Sequence, residues 1–218
     1  MSEETPLSPY ATLRDTAPFE AWRDLTGRPA RRHPAGVTLL RQGEPGTHIL
    51  VLLHGVVKVV RRSADGREKL LSFRGPGEVL GEMAVQDGDT RLADVQTITE
   101  CKVIPVSARD FRDVVRRHGL GEQLARLAVS RLREQTQAGE GDLDRRLAAV
   151  LLRLLALSGA HTFRLTRVEL AQHLDTGRRS VSEALRRLGP ECVRVGRTSV
   201  QVVDERRLRA VLRQRPAA

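Results

Sequence analysis

The chain has 218 residues, and its 37 Lys and Arg outnumber its 27 Asp and Glu, which gives a formal net charge of +10. No stretch approaches the roughly eighteen consecutive apolar residues that a membrane-spanning helix needs, and the polar N-terminus does not resemble a signal peptide. The two cysteines, Cys101 and Cys192, are far apart and lack metal-ligand spacing, so neither a disulfide framework nor a zinc or iron–sulfur site is suggested. We expect a cytoplasmic protein without a membrane partner or a metal.

The positive charge is concentrated in the C-terminal third. Residues 1–142 hold 21 Lys and Arg against 20 Asp and Glu, a net charge of +1, whereas residues 143–218 hold 16 against 7, a net charge of +9. A concentrated basic surface is typical of proteins that bind a polyanion such as nucleic acid. The asymmetry also favours two modest domains over one large domain.

The first half of the chain predicts a β-rich domain. Residues 1–12 are polar and contain two prolines, which indicates a loose arm, and residues 19–25 are predicted to form a short helix anchored by Trp22. Between residues 37 and 105, short apolar runs alternate with glycine-bearing turns, and eight of the 18 glycines fall between Gly43 and Gly88. This spacing predicts an antiparallel sandwich or barrel, most naturally a β-roll.

Helix-forming sequence follows residue 105. Ser107 is suited to cap a first helix, and a longer helix is predicted over residues 120–137. The apolar stripe of this longer helix consists of Leu124, Leu127, Ala128 and Leu132. The stripe packs either on the β-domain or against the same helix of a second copy in a dimer. Glycines at 139 and 141 indicate a hinge, after which residues 142–157 predict a buried helix.

Residues 166–188 have the spacing of two short helices joined by a tight turn. Thr166 and Glu169 form a predicted capping box at the start of the first helix, and Asp175 lies in the turn. The second helix buries its apolar face and directs arginines outward at its N-terminal end, as a DNA-recognition helix does. Two short β-runs about a glycine turn and a last helix capped by Asp204 complete a predicted winged helix-turn-helix.

Taken together, these elements resemble the Crp/Fnr family of bacterial transcription regulators. The motifs that carry the resemblance are PGEVLGEM at residues 76–83, RLAD at 91–94, LTRVELAQHL at 165–174 and GRRSVSEALRRL at 177–188. The resemblance implies an α+β fold with an antiparallel, cyclic-nucleotide-binding-like β-roll, a long connecting dimerisation helix and a winged helix-turn-helix. We therefore divide the chain into a flexible arm (1–18), a sensor domain (19–117), a connecting helix and hinge (118–141) and a DNA-binding domain (142–218).

The resemblance also implies a ligand pocket in the β-roll for cyclic AMP or cyclic GMP. Gly81 and Glu82 match positions near the ribose, and Arg91 matches the arginine that meets the cyclic phosphate. The next position usually provides a hydroxyl to the phosphate but is Leu92 here, followed by Ala93, so the pocket lacks a contact to a charged group. Candidate contacts to the purine on the long helix are Gln135 and Thr136. Alternatively, Glu82 and Arg91 form a structural ion pair with each other.

The DNA-binding residues are also assigned by the resemblance. Arg178, Arg179 and Glu183 match base-reading positions, with Ser182 beside them, although the charge order differs from the Arg-Glu order and later Arg of the best-known members. Arg pairs with guanine and Glu accepts from cytosine, so a different half-site is expected. Phosphate contacts are assigned to Thr166, Arg167 and Ser180. Alternatively, Glu183 only tethers an arginine one helical turn away.

These features favour a sequence-specific transcription regulator that binds a palindromic operator as a homodimer. The resemblance adds RNA polymerase as a partner and the bacterial nucleoid as the place of action. The alternatives are a cyclic-nucleotide-sensing module that does not act on DNA directly and a non-specific architectural DNA binder. An enzyme is not expected, because no catalytic set of side chains occurs at informative spacing.

Overall fold

The computed structural model describes residues 11–137 and 141–213, with the side chains of residues 135–137 outside the description. The N-terminal part contains helices α1 (Leu13–Thr16), α2 (Phe19–Thr26), α3 (Glu82–Asp87) and α4 (Ala108–His118) and strands β1 (Arg31–His33), β2 (Thr38–Leu40), β3 (His48–His54), β4 (Val57–Arg62), β5 (Glu68–Arg74), β6 (Val79–Leu80), β7 (Asp94–Thr97) and β8 (Cys101–Ser107). The long helix α5 (Gly121–Gln137) follows. The C-terminal part contains α6 (Leu143–Ser158), β9 (Thr162–Phe163), α7 (Arg167–His173), α8 (Arg178–Leu188), β10 (Val193–Val195), β11 (Val200–Val202) and α9 (Glu205–Arg213).

Two antiparallel four-stranded sheets build the predicted β-roll. One has the strand order β1-β8-β3-β6 and the other β2-β7-β4-β5. Burial alternates along β7, where Val95 and Thr97 are buried and Asp94 and Gln96 are half-buried, whereas β3 is buried over the four successive residues 49–52. The α+β architecture expected from the sequence is confirmed.

The described part of the predicted N-terminal arm, residues 11–18, is structured. Residues 1–10 lie outside the described part of the chain, but residues 11–18 do not form a loose arm, because Leu13 in α1 is buried in the core of the roll. Thr12 caps α1 through a reciprocal pair of hydrogen bonds with Asp15. In α2, the buried anchors are Ala21 and Leu25, while Trp22 is half-buried against the same core.

Local caps define the helices that connect the roll to the C-terminal part. Ser107 accepts a hydrogen bond from the backbone N–H of Asp110 at 3.1 Å and caps α4 as predicted. Asp142 caps α6 in the same way through Arg145 N. The predicted hinge at residues 138–141 lies almost entirely outside the described residues.

The C-terminal part has the predicted helix-turn-helix and wing. Helices α6, α7 and α8 surround a core that includes Leu151, Leu170 and Leu185, and β10, β11 and β9 form a small antiparallel sheet beside them. Asp175 in the turn between α7 and α8 has a φ of 46°, and it is the one non-glycine residue with positive φ in the described ranges. Asp adopts this left-handed conformation at lower cost than most residues. Among the described residues, no helix is long and apolar enough to cross a membrane.

The β-roll and the winged helix domain share one hydrophobic cluster. Val60, Leu70 and Phe73 of the roll belong to the same buried cluster as the core of α6, α7 and α8. Gly75 lies so close to α6 that a Cβ atom there would be 2.6 Å from Leu157 Cδ2, so a side chain at this position would force Leu157 to move. The DNA-binding helices are therefore docked on strands β4 and β5.

Candidate nucleic-acid interface and ligand pocket

The first helix of the helix-turn-helix begins with the predicted capping box. The Thr166 hydroxyl accepts from Glu169 N at 3.2 Å and donates to Glu169 Oε2 at 2.9 Å, while Thr166 N donates to the same carboxylate at 2.7 Å. Glu169 also forms an ion pair with Lys58 of β4, which fastens the start of α7 to the roll. The Thr166 hydroxyl, which was assigned to phosphate binding, therefore already donates one hydrogen bond and accepts another within the helix cap.

The N-terminal tip of α8 projects arginines into solvent. Arg178 and Arg179 are exposed, and the Arg179 side chain retains 94% of its accessible surface. Glu183, one turn later, accepts from Arg179 Nε at 3.1 Å, and Ser182 Oγ donates to the carbonyl of Arg178 at 2.9 Å. The arrangement leaves both guanidinium groups accessible, and Glu183 holds one of them.

Two further arginines extend the basic surface beyond the predicted residues. Arg194 on β10 and Arg197 in the turn of the wing are exposed on the hairpin that follows α8. The sequence predicted the hairpin but did not assign it a DNA contact. By contrast, the Arg187 side chain at the end of α8 donates two hydrogen bonds to the Asp144 carboxylate, at 2.5 and 2.7 Å, and is not available to extend this basic surface.

The ligand pocket predicted from the resemblance lies inside the β-roll, bounded by α3 and α5. Its volume is about 330 Å³, within the range of small-molecule sites. The predicted residues Gly81, Glu82, Arg91, Leu92 and Ala93 all line it. The side chains of Gln135 and Thr136 lie outside the described residues.

Arg91 is turned into the wall of the pocket. It is only 4% exposed, and its guanidinium donates to the carbonyls of Gly81, at 2.7 Å, and His48. A Cβ atom at Gly81 would be 2.2 Å from Arg91 Nη1, so this contact requires glycine, which also has a positive φ of 81°. Burial lowers the pKa of Arg91, an effect that the charges of Glu44 and Glu82 oppose. Leu92 is 51% exposed and presents an apolar surface where the family has a hydroxyl.

Glu82 pairs with Arg131 of α5 and not with Arg91. Arg131 forms ion pairs with Glu82 and with Glu78, the latter at 2.7 Å. Burial opposes the charge of Arg131, but the two carboxylates outweigh it and raise its pKa. The alternative of a structural Glu82–Arg91 ion pair is thus wrong. An arginine on the inward face of a predicted helix was the available sequence signal for this contact.

The stripe of α5 that was predicted to dimerise is divided between two faces. Leu127 is buried in the core of the roll, and Leu124 packs against that core. Ala128 is exposed, and Leu132 is 65% exposed. The first alternative, packing on the β-domain, therefore holds for Leu124 and Leu127, and the dimer contact stays a prediction for Ala128 and Leu132.

Comparison with known proteins agrees with this architecture. Residues 30–118 match a family model described as a cyclic nucleotide-binding domain, and residues 145–211 match a Crp-like helix-turn-helix domain. A CRP-like cAMP-activated global transcriptional regulator from Mycobacterium tuberculosis is 33% identical over 80% of this chain and 84% of its own length. A cyclic AMP receptor protein from Thermus thermophilus is 31% identical over 85% of this chain and 89% of its own.

A solved structure shares the fold. A CRP-family transcriptional regulator, also from Thermus thermophilus, superposes with a TM-score of 0.65 at 24% identity, covering 84% of this chain and 97% of that one. The two family models together account for both the pocket and the helix-turn-helix described above. The chain therefore belongs to the Crp/Fnr family of transcription regulators, and its C-terminal winged helix-turn-helix makes it a DNA-binding member.

Proposed function

We propose that the protein binds a palindromic operator as a homodimer and reads each half-site with α8. The observation that carries this proposal is the accessible pair Arg178 and Arg179 at the tip of α8, in the part of the chain with a net charge of +9. Two recognition helices related by a twofold axis enter successive major grooves. Bound to chromosomal DNA, the protein would act at the nucleoid, with RNA polymerase as the partner through which it changes transcription.

The exposed face of α5 supports the dimer. Ala125, Ala128, Val129 and Leu132 follow one another at helical spacing, and Val129 and Leu132 are 50% and 65% exposed. A second copy of α5 would cover this stripe as in a two-stranded coiled coil. Substituting Val129→Glu should shift the protein to monomer in sedimentation experiments, whereas Arg133→Glu, at an exposed position outside the stripe, should not.

The half-site follows from the order of charges on α8. Arg178 and Arg179 each have the geometry to donate two hydrogen bonds to guanine, so we propose two guanine contacts in each half-site. Glu183 would serve Arg179 as a positioning partner, because their side chains are already bonded. Selection from a random DNA pool gives the operator directly. If Glu183→Ala kept the base preference of the wild-type protein, Glu183 would neither contact a base nor position Arg179.

The β-roll pocket is proposed to hold a small effector that controls DNA binding. The names of the two relatives above make cyclic AMP the first ligand to test. Calorimetry with cyclic AMP and cyclic GMP, followed by DNA selection with and without each nucleotide, tests the ligand and the switch separately. Affinity that does not depend on DNA sequence would instead support an architectural DNA binder.

A further inference from the structure

A continuous series of ion pairs runs from the wall of the β-roll pocket to the DNA-binding domain. Its six residues alternate in charge, and each pairs with the next in the order Glu82, Arg131, Glu78, Arg74, Glu134 and Arg153. The first, second and fourth of them line the pocket, whereas the last lies on α6. These six side chains form the ion-pair network.

The network is buried along its whole length. None of its side chains retains more than 19% of its accessible surface. Hydrogen bonds make four of its five links. The fifth link is an ion pair of 3.9 Å between Arg74 Nε and Glu78 Oε1. Because buried charges are weakly screened, each charge acts on the neighbours of its partner as well as on the partner itself.

Helix α6, where the network ends, also holds the helix-turn-helix. Arg146 on α6 donates to the carbonyl of Leu174 at the C-terminal cap of α7. Asp144 on α6 accepts two hydrogen bonds from Arg187 at the end of α8, at 2.5 and 2.7 Å. All three helices also share one hydrophobic core. A displacement of α6 therefore moves α7 and α8 with it.

The three carboxylates and three guanidinium groups of the network balance one another in charge. A buried charge that loses its partner is costly, so the remaining groups compensate when one of them is removed. Without the charge of Glu78, Arg74 has only Glu134 as its anion in the network. Arg74 then competes more strongly with Arg153 for the carboxylate that both already share. The ion pair that holds α6 therefore depends on a glutamate of the roll.

We propose that the ion-pair network couples the wall of the pocket to the position of the DNA-binding domain. A change of charge or geometry at Glu78 or Glu82 alters the hold of Glu134 on α6. This inference rests on the proposed effector control, because it supplies the physical link between the pocket and the recognition helix. Apart from Glu82, the side chains that make this link are not among those assigned by the family resemblance.

Hydrogen–deuterium exchange of the full-length protein, measured by mass spectrometry, tests the coupling without a ligand. Glu78→Gln removes one charge of the network and keeps the volume of the side chain. We expect the amides of α6 to exchange about threefold or more faster than in the wild-type protein, because Arg153 loses part of its hold on Glu134. Val106→Ala is the control, because it removes buried apolar atoms from the core of the roll outside the network. Unchanged exchange of α6 in Glu78→Gln, or an equal increase in Val106→Ala, overturns the proposal.

The reverse experiment starts at the other end of the network. Coupling between two sites is reciprocal, so Arg153→Met on α6 should raise the exchange of the amides of residues 78–87 by about threefold or more. Arg145→Met is the matched control, because this arginine lies on the same helix and donates to the carbonyl of Leu212 outside the network. This test does not depend on the folding of Glu78→Gln. An equal effect of the two arginine substitutions on residues 78–87 also refutes the proposal.

DNA binding separates this proposal from the proposed function. DNA selection with and without cyclic AMP and cyclic GMP tests effector control in the wild-type protein. If exchange shows the coupling while DNA binding responds to neither nucleotide, the network stands and control by these nucleotides is rejected. If DNA binding responds to a nucleotide while both network variants exchange like their controls, the network is rejected and effector control stands.

Discussion

Glu134 joins three parts of the molecule through a buried ionic network. Its carboxylate on α5 binds Arg74 of β5 at 2.7 Å and Arg153 of α6. The side chain of Glu134 retains only 9% of its accessible surface, that of Arg74 6% and that of Arg153 19%. Burial opposes the ionisation of Glu134, but the two arginines outweigh it and lower its pKa. At neutral pH the carboxylate is therefore charged and holds the roll, the long helix and the DNA-binding domain together.

Replacing Glu134 by alanine removes the anion that Arg74 and Arg153 share, although Arg74 keeps Glu78 at 3.9 Å. Breaking a buried ion pair by removing one partner costs about 3–5 kcal/mol, mainly through the charge left uncompensated. For a chain of this length, each kcal/mol lowers the midpoint of thermal unfolding by roughly 2–4 °C, so the expected decrease is about 6–20 °C. Circular dichroism at pH 7 measures this midpoint, and urea unfolding measures the free energy.

Glu122 provides the control on the same helix. Its side chain is 71% exposed and pairs with Arg126 one turn away, so Glu122→Ala should cost no more than about 0.5 kcal/mol. Glu134→Gln should fall between the two variants, because it keeps the volume and loses only the charge. A loss below about 1 kcal/mol in Glu134→Ala would refute the argument that this network stabilises the domain interface.

Three further predictions concern pH, the domain interface and DNA. His173 is buried against Phe73, and burial lowers its pKa to about 4, with the arginine charges adding to burial and Glu134 opposing it. In the unfolded chain the imidazole of His173 takes up a proton near pH 6.5, whereas in the folded protein it does so only near pH 4. The free energy of unfolding should therefore fall by about 3 kcal/mol between pH 6.5 and 4. Urea unfolding of His173→Gln should not show this decrease. Lys58→Met should lower the unfolding free energy by about 1–3 kcal/mol because Glu169 loses its partner across the interface, whereas the same change at exposed Lys102 should be neutral in urea unfolding. Arg178→Ala should weaken operator binding in mobility shifts by about 1–3 kcal/mol and relax the base preference at one base pair. If the variant lost the same binding free energy on competitor DNA of unrelated sequence, Arg178 would contact phosphates and not bases.

Local sequence signals predicted the elements that position both sites. The Thr166–Glu169 capping box, the Ser107 cap and the Asp175 turn each depend on residues within four positions of one another, so spacing alone identifies them. The β-roll was predictable for a similar reason, because short apolar runs are separated by turns that contain glycine. The Crp/Fnr resemblance then assigned the pocket and the recognition helix.

Contacts between distant residues were not predictable in the same way. Arg131 pairs with Glu78 and Glu82, about fifty positions earlier in the chain, and no local pattern specifies which acid a buried arginine meets. Contacts with distant residues also determine which part of the α5 stripe is buried and which part is exposed. Leu127 and Leu132 are equally apolar, and only the position of the roll determines that one is buried and the other exposed.

The register of β4 and β5 places the ligand pocket and the DNA-binding domain on opposite sides of one β-ribbon. Val59 lines the pocket, whereas its neighbours Lys58 and Val60 contact the winged helix domain through an ion pair and the shared hydrophobic cluster. Val59 pairs with Ser72, which also lines the pocket, and Lys58 pairs with Phe73, which does not. Because successive side chains of a strand point to opposite faces, a ligand that displaces Val59 moves the backbone that carries Lys58. The contacts that hold α7 in place are therefore one residue away from the wall of the pocket.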